Sequence, residues 1–279
     1  MKRGKLMERS YTARNGVEEV TRFVVPLSAK PRAGKANAST PRKAEANKNQ
    51  AAHILGRLLN NNFEQGDLLI SPGYSAKAKR ELERRARTAL GGGRIRKEIL
   101  EDAILAEVDK DAGLFIRRCR AAGAKNLRYV IVPSDRNGKT GKPAAPHVHI
   151  VLSGEDCSVE NKVLTLCGRS LTEMWGHAAS VEYEFLRGGS YNRLAVYLLA
   201  QTRDIPNRKR YRCSRNLEKI VPVEREISAS APEEIQPPAG AEIQERQINE
   251  ENPYHMQYVR YILPKRRTAT RNKRKETEP

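Results

Sequence analysis

The sequence predicts an α+β domain in which a small antiparallel sheet carries helices on one face and is flanked by basic, partly disordered segments. Three observations predict it. From Asp67 onward, β-rich runs and amphipathic stretches follow in the order β-α-α-β-β-α-β-α, which suits the split-βαβ arrangement of ferredoxin-like and RRM-like folds and leaves one sheet face open for a ligand. The runs Leu127 to Val132 and Pro146 to Leu152 flank a polar turn from Asp135 to Lys142, so they read as adjacent antiparallel strands. The stretches Ala29 to Asn49 and Arg225 to Glu251 lack the apolar density of a core.

Element by element, Ala51 to Asn60 places Ile54, Leu58 and Leu59 at helical spacing, and Asp67 to Ser71 reads as a short strand closed by Pro72-Gly73. Ala76 to Leu90 and Arg94 to Ala121 read as two helices joined by the hinge Gly91-Gly92-Gly93. Ser158 to Trp175 fits a helix, Ala179 to Leu186 a strand, and Tyr191 to Gln201 a helix marked by Leu194, Ala195, Leu198 and Leu199. The domain plan is therefore a basic, partly disordered segment over 1–50, the main domain over 51–226, a flexible linker over 227–251, and an aromatic patch with a basic tail over 252–279.

A formal net charge of +19 on 279 residues points to a polyanionic partner, nucleic acid before membrane. No apolar run is long enough to span a bilayer or to form a signal-peptide core, so a cytoplasmic protein without a membrane partner is expected. Cys119, Cys157, Cys167 and Cys213 lack zinc-ligand spacing and read as reduced structural cysteines.

His147 and His149 stand two apart on a predicted strand, so both imidazoles project from one face while Val148 faces the other. Two converging nitrogens suit a divalent cation whose other positions are filled by a carboxylate, water and a phosphate oxygen; ordinary strand histidines are the plain alternative. Lys209-Arg210-Tyr211-Arg212, with Arg215 and Asn216, mixes cations with an aromatic ring, as a single-strand groove requires, and a solvated basic loop is the alternative there.

The apolar-flanked His-x-His of Pro146 to Leu152, the strand before it, the lead-in Asn62 to Ile70, Leu171 to His177, Tyr191 to Gln201 and Lys209 to Leu217 together resemble the HUH endonuclease superfamily. More narrowly they resemble rolling-circle replication initiators of bacterial plasmids, phages and integrative elements. The resemblance implies an HUH architecture and Mn or Mg held by His147 and His149, with Asp135 as third ligand; a turn aspartate is the other reading of Asp135. It implies that Tyr197 attacks the scissile phosphate of single-stranded or hairpin origin DNA, giving a 5′-phosphotyrosine and a free 3′-hydroxyl, with host replication proteins as further partners. Arg193 and Gln201, each four residues from Tyr197, share its helix face and are expected to contact DNA. In the family a lysine commonly stands three residues after the tyrosine, and here that position is Ala200. Two rival readings are a catalytically weak or inactive DNA-binding regulator of the same fold and a basic RNA-binding structural protein.

Overall fold

The computed structural model describes residues 4–26, 41–178, 181–205, 208–227, 234–249 and 256–264, with side chains undescribed at 26, 41–46 and 249. Two compact units result, one of 1–12, 16–31 and 222–279, the other of 13–15 and 32–221.

The larger unit is α+β. Its elements are α1 (Pro41–Asn62), β3 (Leu68–Pro72), α2 (Ala76–Ala89), α3 (Lys97–Ala121), β4 (Tyr129–Arg136), β5 (Pro143–Leu152), β6 (Cys157–Glu160), β7 (Val163–Leu166), β8 (Arg169–Ser170), α4 (Leu171–Trp175), β9 (Val181–Phe185), α5 (Asn192–Ala200) and β10 (Arg212–Cys213). The smaller unit contributes β1 (Gly4–Thr12), β2 (Val17–Pro26), β11 (Val223–Glu226), β12 (Glu242–Asn249) and β13 (Met256–Ile262).

The main sheet is antiparallel in the order β10-β4-β5-β3-β9. Within it, β3, β4, β5 and β9 hold the spatial order of a split-βαβ sheet, with the helical crossover α2–α3 between β3 and β4. That order makes β5 the middle strand, and its pleat decides the burial. Val148, Ile150 and Leu152 face a core with Phe115 and Trp175, while Val151 faces a second core with Leu55, Leu59, Leu198 and Leu199. Helices thus cover both sheet faces, in contrast to the single covered face expected from the sequence. The reason is apolar content: α1 and α5 each carry a leucine stripe that needs a partner, and the face bearing Val130, Val132 and Val151 supplies it.

The predicted helix Ser158 to Trp175 is shorter than expected. Residues 157–170 form the three-stranded sheet β6-β7-β8, and only Leu171–Trp175 is helical. Both hairpins close with two residues at positive φ, Asn161 (49°) with Lys162 (66°) and Cys167 (50°) with Gly168 (72°), the pattern of type I′ turns.

The smaller unit is a five-stranded antiparallel sheet, β11-β1-β2-β13-β12. Four of its strands lie in spans read from the sequence as basic segment, linker and tail, and β11 lies at the end of the span read as the main domain. Residues 4–26 are the hairpin β1–β2, α1 begins at Pro41, and Glu242–Asn249 pairs with Met256–Ile262. The remainder of the expected basic segment, the linker residues 228–233, and the tail from Lys265 lie outside the described residues.

Candidate active site

β5 directs His147 and His149 to the α1/α5 side of the sheet, as the period of two requires. Their Nε2 atoms stand 3.1 Å apart, and the rings meet edge to face with centroids at 4.8 Å. The far nitrogen of each ring has a partner. His147 Nδ1 lies 2.9 Å from the carbonyl oxygen of Ala145, which can only accept, so Nδ1 carries a proton. His149 Nδ1 lies 2.9 Å from Ser71 Oγ on the neighbouring strand β3. His149 is buried, and burial, helped by the adjacent His147, pushes its imidazole down to about 4, so the ring is neutral at physiological pH.

α5 runs over these rings. The ring of Tyr197 lies 5.7 Å from that of His149, centroid to centroid, and its side chain is exposed. One turn further on, Gln201 is 5% exposed, with Oε1 3.4 Å from His147 Nε2. The amide Nε2 of Gln201 is buried without a hydrogen-bond partner. Two ring nitrogens and one amide oxygen therefore converge beside an exposed phenol.

The other residues singled out from the sequence are placed differently. Asp135 sits at a bulge in the β4–β5 pairing, and no cluster of three His, Cys, Asp or Glu suited to a metal occurs among the described residues. Its Oδ2 instead accepts from Arg203 Nε (2.8 Å), with Arg136 at 3.4 Å. Burial raises the Asp135 carboxyl while these two arginines oppose the rise, so Asp135 is the anion of an arginine cluster. Gln201, expected to touch DNA, is turned inward to the histidines. Arg193 is exposed on α5 one turn before Tyr197.

The basic segment after α5 is largely engaged within the protein. Arg210 pairs with Asp204 at 3.3 Å, and Arg212 binds both the carboxylate (2.7 Å) and the backbone oxygen (2.6 Å) of Asp109 on α3. Tyr211 packs against the α1/α5 core, and Asn216 donates to the backbone oxygen of Asn126 (2.9 Å). Arg215 is exposed. These contacts tie β10 and its lead-in to α3 and to the sheet, leaving Lys209 and Arg215 as exposed cations of the set.

No family model matches this sequence, and no curated protein or solved structure matches it either. No helix among the described residues is long and apolar enough to cross a membrane.

Sequence reasoning missed two features of this site. Ser71 is 78 residues from His149, and only the β3–β5 register brings them together, so no local pattern announces the contact. Gln201 did carry a signal, its four-residue spacing from Tyr197, but spacing alone cannot say whether a side chain turns toward solvent or toward the sheet.

Proposed function

We propose that the chain is an HUH-type DNA nicking and joining enzyme of the rolling-circle initiator kind, acting on single-stranded or hairpin DNA. The observation that carries this reading is the convergence of His147 Nε2, His149 Nε2 and Gln201 Oε1 beside Tyr197 on the middle strand of the sheet. The split-βαβ strand order and the tyrosine helix lying on the histidine face support it as well.

The donor set fits a divalent cation. When both rings are neutral with their protons on Nδ1, Ser71 accepts from His149 Nδ1–H and the two Nε2 lone pairs face each other at 3.1 Å, a repulsive arrangement that a cation relieves. The amide oxygen of Gln201 supplies a third, oxygen donor, which together with the imidazoles suits Mn or Mg. In this reading Gln201 takes the place that the family resemblance gives to Asp135. A bound ion would supply Lewis-acid stabilisation of the charge developing on the phosphate oxygens.

The chain's own residues do the rest. The phenol oxygen of Tyr197 attacks phosphorus, its proton passing to the water that reaches this exposed side chain. A new O–P bond forms as the bond to the 3′ oxygen breaks, and the released 3′ oxygen takes up a proton from water. The products are a 5′-phosphotyrosine and a free 3′-hydroxyl, and the reverse attack rejoins the strand. Arg193, one helical turn from Tyr197, is placed to hold a phosphate.

The test is adduct trapping. Labelled single-stranded DNA with Mn should give a denaturant-resistant protein–DNA species with the wild-type chain and none with Tyr197→Phe, while the variant keeps its DNA affinity. A second reading, a DNA binder without catalysis, is favoured by Ala200, which stands where the resembling initiators commonly carry a lysine. Binding without an adduct in the wild-type chain would select it.

A further inference from the structure

Next to Tyr197, on the side away from β4, a cleft of about 510 Å3 opens between α5 and the sheet edge formed by β3 and β9. Leu69 and Leu194 give it apolar walls, and Tyr197 borders it. Glu182 and Glu184 of β9 line it as exposed side chains, opposite Ser71 and Leu69 in the β3–β9 register. Arg193 lines it from α5. Among the described residues neither glutamate has a hydrogen-bond or ion-pair partner, whereas Glu8 and Asp111 elsewhere in the chain are held by arginines.

We infer that this cleft is a nucleobase subsite that takes the base of the nucleotide flanking the cleaved phosphate and prefers bases bearing an exocyclic amine. The inference rests on the nicking reading for the identity of its ligand. A volume of this size accommodates a planar base, and the leucine walls match its faces. Two free carboxylates can only accept hydrogen bonds at neutral pH, so they reward a base that donates an amine, as glutamate does with the cytosine amino group. Thymine offers no exocyclic amine and has only its single N3–H to donate, so it satisfies the pair of carboxylates less well. Arg193 offsets their charge and holds the phosphate attached to the same nucleotide, which sets the base in the cleft while the phosphate lies at the phenol. The edge position of β9 matters, because it leaves Glu182 and Glu184 open to solvent and to an entering strand.

The test is equilibrium binding of fluorescein-labelled oligo-dC, oligo-dA and oligo-dT decamers to the full chain, read by anisotropy at one fixed salt concentration with EDTA present. Wild type should bind oligo-dC and oligo-dA about tenfold tighter than oligo-dT. The double variant Glu182→Ala/Glu184→Ala, at two exposed positions, should narrow that gap to less than about twofold without weakening oligo-dT. Leu194→Trp, which fills the cleft, should lower affinity for all three. Equal affinity of wild type for the three decamers, a preference that survives in the double variant, or unchanged binding by Leu194→Trp would each overturn the inference. Because no cleavage is read and no divalent ion is free, failure here leaves the nicking reading standing. Conversely, a missing covalent adduct leaves the base preference intact.

Discussion

Acidification should destabilise the larger unit in good part through His149. Its folded-state imidazole is pushed down to about 4 by burial and by His147, against 6.5 for the ordinary side chain. The unfolded chain therefore takes up a proton that the folded chain refuses, and stability rises with pH across this window. The contribution is fully present above pH 6.5 and is lost as the pH falls toward 4. A tenfold change in proton affinity is worth about 1.4 kcal/mol, so the loss is about 2 kcal/mol at pH 5 relative to pH 8 and approaches about 3 kcal/mol at pH 4. The assay is urea unfolding of the full chain followed by the fluorescence of Trp175, the single tryptophan, which is fully buried in the core of this unit. Wild type should lose about 2 kcal/mol more than His149→Gln between pH 8 and pH 5, since the amide does not titrate. Other groups, including His177, whose imidazole burial also lowers, are common to both proteins and cancel in the comparison. Parallel pH profiles for the two proteins would refute the assignment of a buried, neutral His149.

Several other perturbations separate the roles of neighbouring residues. Gln201→Glu should tighten Mn binding about tenfold by replacing an amide oxygen with a carboxylate, measured by calorimetry, and Gln201→Ala should weaken it; unchanged affinity in both would remove Gln201 from the site. Ala200→Lys should raise the yield of covalent adduct with single-stranded DNA, because a cation then stands beside the phenol's helix turn and can stabilise phenolate or phosphate. Asp111→Ala should cost about 3 kcal/mol in the same urea assay. Asp111 is buried, accepts two hydrogen bonds from Arg85 (2.8 and 2.6 Å) and one from the Tyr74 hydroxyl (3.0 Å), and ties α2 and the β3 turn to α3, so its loss leaves polar groups without partners. Metal binding by that variant, once folded, should match wild type.

How much of this was legible in the sequence follows from the range of each interaction. The period of two that aligns His147 with His149, and the period near four that relates Tyr197 to Gln201, are local; the first survives as a shared face of β5, the second as Tyr197 on α5 and Gln201 at its C-terminal cap, both beside the histidines. The hairpin of β4 and β5 was legible for the same reason, as was α5. The β1–β2 hairpin was hidden because its alternation is carried partly by charge. Glu8 is buried, accepting from Arg22 and Arg225 (2.7 and 2.5 Å), and Glu19 is buried against Arg260 (3.2 Å). A reading that counts every glutamate and arginine as solvated turns such a strand into a polar tail, although buried charges in partnership are compatible with a sheet interior. In β6 to β8 the apolar and β-branched residues Val159, Val163, Leu164 and Leu166 fit a helix or a strand equally, and the two-residue turns at Asn161-Lys162 and Cys167-Gly168 decide between them.

The site itself divides along the same line. Local pattern brought His147, His149 and Tyr197 forward, and long-range register supplied their chemistry. Ser71 meets His149 because Ile70 pairs with Ile150, and Glu182 meets the cleft because it pairs with Ser71. A one-residue slip of β3 against β5 would turn Ser71 to the opposite core and leave His149 Nδ1 facing the apolar Ile70 or Pro72. The leucine and isoleucine alternation of β3, with Leu68 and Ile70 locked among Phe115, Ile131 and Ile150, opposes that slip, since it would move both fully buried side chains to the other face. The apolar residues on one face of β3 thereby fix the polar contact on the other.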